Sequence, residues 1–179
     1  MHTDIERIIL DEAEIGYTVS KIAELINRDY AGTQLVVVGI LKGSIMFLSD
    51  LFRRIEVKDC TLDFMTATSY GNGTESSGTV RVTKDVSADV AGKNVLIVED
   101  ILDTGNTLSY IKDYLMNRNA LSVKVCTLFD KPGRRRKPIT PDYCGQTIQD
   151  LFVVGYGLDY NEHYRNLPYV GVLKKEIYG

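Results

Sequence analysis

Three carboxylates and a small polar turn follow one another in the middle of the chain. The segment 94–108 reads NVLIVEDILDTGNTL, in which an apolar run leads to Glu99, Asp100 and Asp103 and then to a polar turn. The turn consists of Thr104, Gly105, Asn106 and Thr107. Such a turn at the start of a helix offers unpaired backbone N–H groups, threonine hydroxyls and a glycine that lets an anion approach closely. The sequence therefore predicts a phosphate site in this turn.

The neighbouring carboxylates would repel a simple anion, so the ligand must present more than one kind of group. Carboxylates accept hydrogen bonds from hydroxyls and can also bind a metal ion. A ribose 5-phosphate combines both features, because its phosphate can lie in the turn while its 2- and 3-hydroxyls donate to Glu99 and Asp100. The carboxylates and the turn together indicate a sugar phosphate as ligand.

Alternating strand and helix patterns surround this motif and predict an α/β fold. Apolar residues at helical spacing predict a helix over residues 11–28, and Ser44 is a candidate N-cap for a second helix that ends near Arg54. A third helix is predicted from Thr107 to about Arg118. Strand patterns cover residues 35–41, 61–68, 79–86, 94–98, 122–130, 151–157 and 169–173. This order indicates a parallel sheet, whose ligands are expected beyond the carboxyl ends of the strands.

Composition limits the class of protein. With 179 residues, of which 44% are hydrophobic and 25% charged, the chain matches one globular domain, expected over residues 1–179. Its longest apolar runs have the length of strands and no secretory signal is visible, so we expect a cytoplasmic protein without a membrane span. Two histidines and three cysteines argue against a zinc site, a disulfide framework or a histidine-centred triad.

The charge of the chain argues against one class of partner. A formal net charge of −3 does not favour nucleic acid, although residues 134–137 read RRRK. Taken alone, such a run is more often a solvated loop. The run at 134–137 could also form an interface or have a second electrostatic role, and the sequence does not decide between them.

Five segments of the chain resemble known enzymes. VLIVEDILDTGNTL at 95–108 is similar to the signature with which type I phosphoribosyltransferases bind 5-phosphoribosyl 1-pyrophosphate (PRPP). Four others resemble, in order, the hypoxanthine-guanine phosphoribosyltransferase family: LKGS at 41–44, SY at 69–70, FDKP at 129–132 and FVVGYGLDYNEHYRNLP at 152–168. The resemblance implies the type I phosphoribosyltransferase fold, a mainly parallel twisted sheet flanked by helices with a small hood region. It also implies phosphoribosyl transfer to hypoxanthine, guanine or both, with release of pyrophosphate.

For the central motif, the resemblance assigns a role to each carboxylate. Asp103 is implied as the general base that accepts the proton of purine N7, and its charge would also favour an oxocarbenium-like ribosyl cation. Glu99 and Asp100 would face the ribose diol and a Mg²⁺ ion, while the turn at 104–107 would bind the 5-phosphate. The plainer interpretation of Asp103 is a helix cap. Glu99 and Asp100 could simply end a strand with polar residues, and residues 104–107 could be an ordinary turn.

The pyrophosphate is implied to contact two parts of the chain. Lys42 and Gly43 would hold it through backbone amides and the lysine, and the Leu-Lys peptide bond at this point is often cis in the family. Arg165 would be the second contact. Asp159 is implied as a Mg²⁺ ligand beside the acidic pair, because a carboxylate oxygen is a hard donor. Without the resemblance, LKGS would be interpreted as a turn and a helix cap.

Lys131, Phe152, Val153 and Asp159 are implied to form the purine site. Phe152 would stack on the base, the backbone of Val153 would meet its pyrimidine-ring edge, and Lys131 would donate to O6. Because a lysine offers only donors, it should favour hypoxanthine and guanine over adenine. Core packing is the plainer interpretation of Phe152, and the ranking of hypoxanthine, guanine and xanthine stays open.

The polar, glycine-rich segment 69–78, which opens with Ser69 and Tyr70, is implied to be a lid that shields the ribosyl cation from water. The resemblance also implies a homo-oligomer, a dimer or a tetramer, that acts on small molecules. A function from another class is a PRPP-sensing regulator that binds RNA or DNA. The acidic net charge favours the enzyme, and so does the set Lys131, Phe152, Asp159 and Arg165, which only a nucleobase enzyme needs together.

Overall fold

The computed structural model of the protein describes residues 1–70 and 79–179. Its strands are β1 (Ile5–Leu10), β2 (Gln34–Ile40), β3 (Asp59–Tyr70), β4 (Thr79–Lys84), β5 (Asn94–Leu102), β6 (Ser122–Asp130), β7 (Tyr143–Thr147), β8 (Val153–Val154) and β9 (Val170–Leu173). Its helices are α1 (Glu12–Asp29), α2 (Ile45–Phe52), α3 (Asn106–Met116) and α4 (Lys175–Tyr178). Within these described residues, no helix combines the length and apolar character that crossing a membrane requires.

A six-stranded sheet in the order β4-β3-β2-β5-β6-β7 forms the centre of the molecule. Strands β3, β2, β5, β6 and β7 are parallel to one another, and β4 joins the edge as the antiparallel partner of β3. The register places Leu35 beside Asn94 and Asn94 beside Ser122, so β2, β5 and β6 end at one edge of the sheet. That edge is where a parallel sheet binds its ligands.

Helices cover both faces of this sheet and create two apolar cores. Alternate residues of β2 point to opposite faces: Val37 packs in one core with Phe47 of α2, and Val38 packs in the other with Ile111 of α3. Buried strands of this type read as continuous apolar runs, which is why the sequence pattern located them. The predicted α/β fold with a mainly parallel sheet is confirmed.

Helix starts show where local sequence patterns succeed and fail. The predicted first helix is confirmed, and Asp11 and Glu14 form a reciprocal capping box in which each backbone N–H donates to the other side chain at 2.8 Å. The prediction that Ser44 caps α2 through its side chain is wrong, because its backbone is already helical and its hydroxyl donates to the carbonyl of Ile40. Helix α2 also ends at Phe52, earlier than predicted.

A separate three-stranded antiparallel sheet, in the order β1-β9-β8, forms the small hood. Strand β1 pairs with β9 with Ile5 opposite Leu173, which joins residues from opposite ends of the chain. The strand predicted over 151–157 contracts to two residues, because Gly155 and Gly157 take φ values of 100° and 102° that end the extended conformation. The sequence patterns missed β1 and β7.

Candidate active site

The acidic motif occupies the end of β5 and the turn into α3. Strand β5 continues to Leu102, so the acidic pair lies on the strand itself, and α3 begins at Asn106. Between them, Gly105 has a φ of 82°, and a Cβ there would lie 2.7 Å from Cγ2 of Ile139. The turn therefore requires glycine for both its conformation and its close packing. A cleft reaches from the end of β2 to this turn and is lined by Leu41, Glu99, Asp103, Thr104 and Thr107.

Burial holds the acidic pair largely away from water, although the charge of Arg165 acts on Asp100. Asp100 is only 6% exposed, and burial raises its pKa to about 6. Burial, followed by the charge of Asp100, raises the pKa of Glu99 well above its ordinary value. Within the described part of the chain, Oε2 of Glu99 is buried and lacks a hydrogen-bond partner. Such an oxygen is a candidate acceptor for a ligand group or a metal ion.

The surroundings of the acidic pair fit a magnesium ion whose coordination is completed by oxygens of a bound substrate. A Cβ at Gly43 would overlap the carboxylate of Asp100, so the backbone of the β2–α2 loop packs directly on the acid. Among residues 1–70 and 79–179, no group of three or more histidine, cysteine or acidic side chains could hold a metal on its own. Mg²⁺ is often bound by one or two carboxylates and by substrate phosphates, which agrees with this donor set.

The residues predicted to bind pyrophosphate and metal meet beside the acidic pair; they are Lys42, Gly43, Asp159 and Arg165. The Leu41–Lys42 peptide bond is cis, as the resemblance implied. Arg165 lies 2.9 Å from Oδ1 of Asp159 through Nη2 and donates from Nη1 to the carbonyl of Gly157 at 2.7 Å. A Cβ at Gly157 would overlap the carbonyl oxygen of Gly43, so the loop after β8 packs on the loop after β2. Loops that are more than 110 residues apart are thereby in contact.

The purine-site residues line a cleft that shares Asp103 with the phosphate side. The members of this lining include Ile101, Asp103, Lys131, Phe152, Val153 and Asp159. Lys131 is largely buried, and its Nζ donates to the carbonyl of Leu151 at 2.6 Å. Burial lowers the pKa of Lys131, with the nearby Asp103 opposing the shift. The amine is therefore fixed at the cleft wall as a hydrogen-bond donor.

Phe152 lies at the cleft surface and packs against two tyrosines. Its ring stacks on Tyr178 of α4 with a centroid distance of 4.5 Å and an interplanar angle of 22°. Tyr160 meets it edge-on at 5.6 Å. Both geometries are favourable for aromatic pairs. Sequence reasoning missed Tyr178, because no local pattern links α4 to the segment around Phe152.

The basic run at 134–137 packs against the phosphate turn. Nε of Arg134 lies 2.9 Å from Oδ1 of Asp103, and its Nη1 lies 3.3 Å from Asp150. Arg135 pairs with Asp130 and donates to the carbonyls of Leu102 and Asp103. This position was missed, although one signal was available: the run follows β6, the strand next to β5. Cations after one strand and acids after its neighbour meet at the same sheet edge.

The structure describes only the first two residues of the predicted lid, Ser69 and Tyr70, and only their backbone. The backbone of Ser69 and Tyr70 ends β3 and pairs antiparallel with Val80 and Thr79 of β4. Residues 71–78 lie outside the described residues. The lid role of this segment stays a prediction.

Comparisons with known proteins agree with this arrangement. The family model for the phosphoribosyl transferase domain matches residues 7–161. A hypoxanthine-guanine phosphoribosyltransferase of Staphylococcus epidermidis is 49% identical over 178 residues, which cover 99% of both chains. The bifunctional protein TilS/HprT of Listeria innocua is also 49% identical, but the chain spans only 27% of its length.

Solved structures give the same result. A crystal structure of a hypoxanthine phosphoribosyltransferase from Staphylococcus aureus superposes with a TM-score of 0.96 at 49% identity, covering 100% of this chain and 97% of the other. A hypoxanthine-guanine phosphoribosyltransferase from Bacillus anthracis superposes with a TM-score of 0.90 at 44% identity, covering 95% and 99% of the two chains. With the family model spanning most of the sequence, the chain belongs to the phosphoribosyltransferase family.

Proposed function

We propose that the protein is a purine salvage enzyme that transfers the 5-phosphoribosyl group of PRPP to hypoxanthine, guanine or both. The products are IMP or GMP and pyrophosphate. One observation carries this proposal: Asp103 lies where a phosphate turn and a cleft lined by Lys131 and Phe152 meet. The relatives named as hypoxanthine-guanine phosphoribosyltransferases support the same activity.

Asp103 is proposed as the general base. N9 of the purine forms the bond to C1 of the ribose while the bond from C1 to the pyrophosphate oxygen breaks, and pyrophosphate leaves with the electron pair. The proton on purine N7 then passes to the carboxylate of Asp103, which balances the charge on the base. The side chain of Asp103 is 39% exposed, so a ligand in the cleft can reach it.

PRPP is proposed to lie along the end of β5. The turn formed by Thr104, Gly105, Asn106 and Thr107 would bind the 5-phosphate through backbone N–H groups and hydroxyls. Glu99 and Asp100 would accept hydrogen bonds from the ribose hydroxyls. Because these two carboxylates and Asp159 do not form one metal-binding group within the described residues, Mg²⁺ would be held by one or two of them together with oxygens of PRPP. Bound Mg²⁺ would neutralise charge on the phosphate oxygens of PRPP. Lys42, Gly43 and Arg165 would bind the pyrophosphate.

Lys131 and Phe152 are proposed to select the base. The buried amine of Lys131 can donate to O6 of a 6-oxopurine, whereas adenine presents an amino group at that position. Phe152 would stack on the purine, and the backbone of Val153, together with Asp159, would meet its pyrimidine-ring edge. A mismatched donor leaves a buried polar group unpaired, so adenine should be strongly disfavoured.

The remaining assignments are proposals of the same kind. Ser69 and Tyr70 would open a lid, and residues 1–179 would fold as one domain that forms a dimer or a tetramer in the cytoplasm. Its partners would be PRPP and a 6-oxopurine, without nucleic acid or membranes. The alternative, a PRPP-sensing regulator that binds nucleic acid, receives no support from the curated relatives or from the net charge of −3.

Product formation from PRPP and Mg²⁺ should be measured with hypoxanthine, guanine, xanthine and adenine in parallel. Turnover of at least one 6-oxopurine with little turnover of adenine is expected, and reactions without PRPP provide the control. If PRPP binds and no base reacts, the enzyme proposal fails. Binding of a DNA or RNA panel at two salt concentrations then tests the regulator, because such binding weakens steeply with salt.

A further inference from the structure

The two cations assigned to pyrophosphate share a single carboxylate, that of Glu162. Nζ of Lys42 lies 3.1 Å from Oε1 of Glu162. Nη2 of Arg165 lies 3.2 Å from Oε2, and its Nε donates to the same oxygen at 3.4 Å. Lys42 follows β2, whereas Arg165 belongs to the loop before β9. Glu162 therefore links two cations that belong to different parts of the chain.

The backbone fixes Glu162 in this position. Its φ is 65°, in the left-handed region that non-glycine residues seldom adopt, and its backbone N–H donates to Oδ2 of Asp159 at 2.8 Å. Asn161 before it has a φ of 49°, and the turn is closed by backbone hydrogen bonds between Tyr160 and His163. The turn thus directs the carboxylate toward Lys42 and Arg165.

The side chain of Glu162 can nevertheless leave the cations at little cost. It is 63% exposed, so it can turn into water without leaving a buried charge. A carboxylate and a phosphate group use the same charged donors, so a pyrophosphate at Lys42 and Arg165 competes with this side chain for them.

We propose that the Glu162 side chain competes with pyrophosphate for Lys42 and Arg165. It positions these two cations in the unliganded protein and lowers their affinity for the leaving group. This inference rests on the proposed function, because it takes these two cations as the pyrophosphate site. Each binding event exchanges a protein carboxylate for phosphate oxygens, and each release is aided by the return of Glu162. The role is that of a positioning residue that adjusts affinity.

The test compares pyrophosphate binding by wild type and Glu162→Gln, measured by calorimetry with Mg²⁺ and inorganic pyrophosphate. Glutamine keeps the size of the side chain and removes its charge. We expect the dissociation constant to fall about three- to tenfold, which corresponds to the loss of two exposed ion pairs. Glu24→Gln is the matched control, because Glu24 also pairs with a lysine, Lys21, at 2.9 Å, on helix α1. That variant should bind pyrophosphate like wild type.

Kinetics supply a readout that a purely structural role would not change. In Glu162→Gln, the KM for PRPP should fall while the KM for hypoxanthine stays the same, and the difference should shrink at high ionic strength. Equal or weaker pyrophosphate binding by Glu162→Gln, in a wild type that turns over hypoxanthine, would overturn the inference alone. A wild type that neither turns over a purine nor binds pyrophosphate would overturn both the inference and the proposed function.

Discussion

The two sides of the cleft are built in different ways. The side proposed to bind the sugar phosphate comes from one continuous segment, the end of β5 and the turn into α3, and it contains Glu99 and Asp100. The side proposed to bind the purine, here called the purine side, combines Lys131 after β6, Phe152 before β8 and Tyr178 from α4. A continuous segment can be recognised in a sequence, whereas a side assembled by tertiary packing becomes visible only in the fold.

The charges on the two sides differ as well. The acidic pair is shielded from water, and burial raises the pKa of both side chains. Asp103, at the junction of the two sides, is half-buried and forms an ion pair with Arg134. The first arrangement buries two acids whose oxygens a metal ion or a ribose could bind. The second places one acid, paired with Arg134, within reach of a purine in the cleft.

The largest effect is expected at the junction. Asp103→Asn keeps the shape of the side chain and removes the proton acceptor, so kcat should fall about 10²- to 10⁴-fold. PRPP binding, measured by calorimetry, should change little, because the turn after Asp103 is preserved. A loss of kcat below tenfold would show that another group accepts the proton. Asp113→Asn, an exposed change on α3, is the control.

A change confined to the purine side should weaken the use of the purine without changing the KM for PRPP. Lys131→Met retains the aliphatic chain but removes the donor, so kcat/KM for hypoxanthine should fall about ten- to a hundredfold. Discrimination against adenine should fall with it, while the KM for PRPP stays near the wild-type value. The exposed change Lys58→Met provides the control. An equal loss for PRPP would contradict the division into two sides.

On the phosphate side, we expect stability and binding to change in opposite directions. The pKa of Asp100 is about 6 in the folded protein and 3.8 as its ordinary value. The folded state thus binds the proton more tightly, so this group stabilises the fold at low pH, and the stabilisation is lost as pH rises through about 6. At neutral pH the buried carboxylate destabilises the protein, and Asp100→Asn removes that penalty.

Thermal unfolding without ligands should therefore show a higher Tm for Asp100→Asn near pH 7.5, by a few degrees, since each kcal/mol shifts Tm by about 2–4 °C in a domain of this size. The difference should shrink as pH falls and vanish below about pH 3, where the acid is protonated in both states. PRPP binding with Mg²⁺ should weaken in the same variant. A lower Tm at pH 7.5 would contradict the burial argument.

The smallest effect is expected at the outer wall of the purine side. Tyr178→Ala removes the ring stacked on Phe152, so the KM for the purine should rise about three- to tenfold with kcat nearly unchanged. Tyr178→Phe should behave like wild type. Tyr110→Ala removes another stacked tyrosine, 6.2 Å from Tyr114 on α3, and should leave the purine KM unchanged. Equal effects of Tyr178→Ala and Tyr110→Ala would exclude a specific role for Tyr178.

The sequence located what local spacing determines. The periodicity of α1, the apolar run of β5 and the acidic turn after it were all found within a few residues of their observed bounds. Strand β1 was missed because its exposed face interrupts the apolar pattern, and its pairing with β9 depends on residues at the far end of the chain. Arg134 and Glu162 were missed for a related reason, since their partners are distant in sequence and contacts decide their roles.

The antiparallel pairing in the hood also connects the purine wall to the start of the chain. Strand β8 pairs with β9, and β9 pairs with β1, so the backbone of Val153 depends on a short ladder that ends at Ile5. Such a small unit can open locally without global unfolding. A purine bound beside Val153 would bind only the form in which the three strands are paired. By mass action it would stabilise the pairing of the whole sheet, including β1. Amide hydrogens near Ile5 would then exchange more slowly when the purine site is filled.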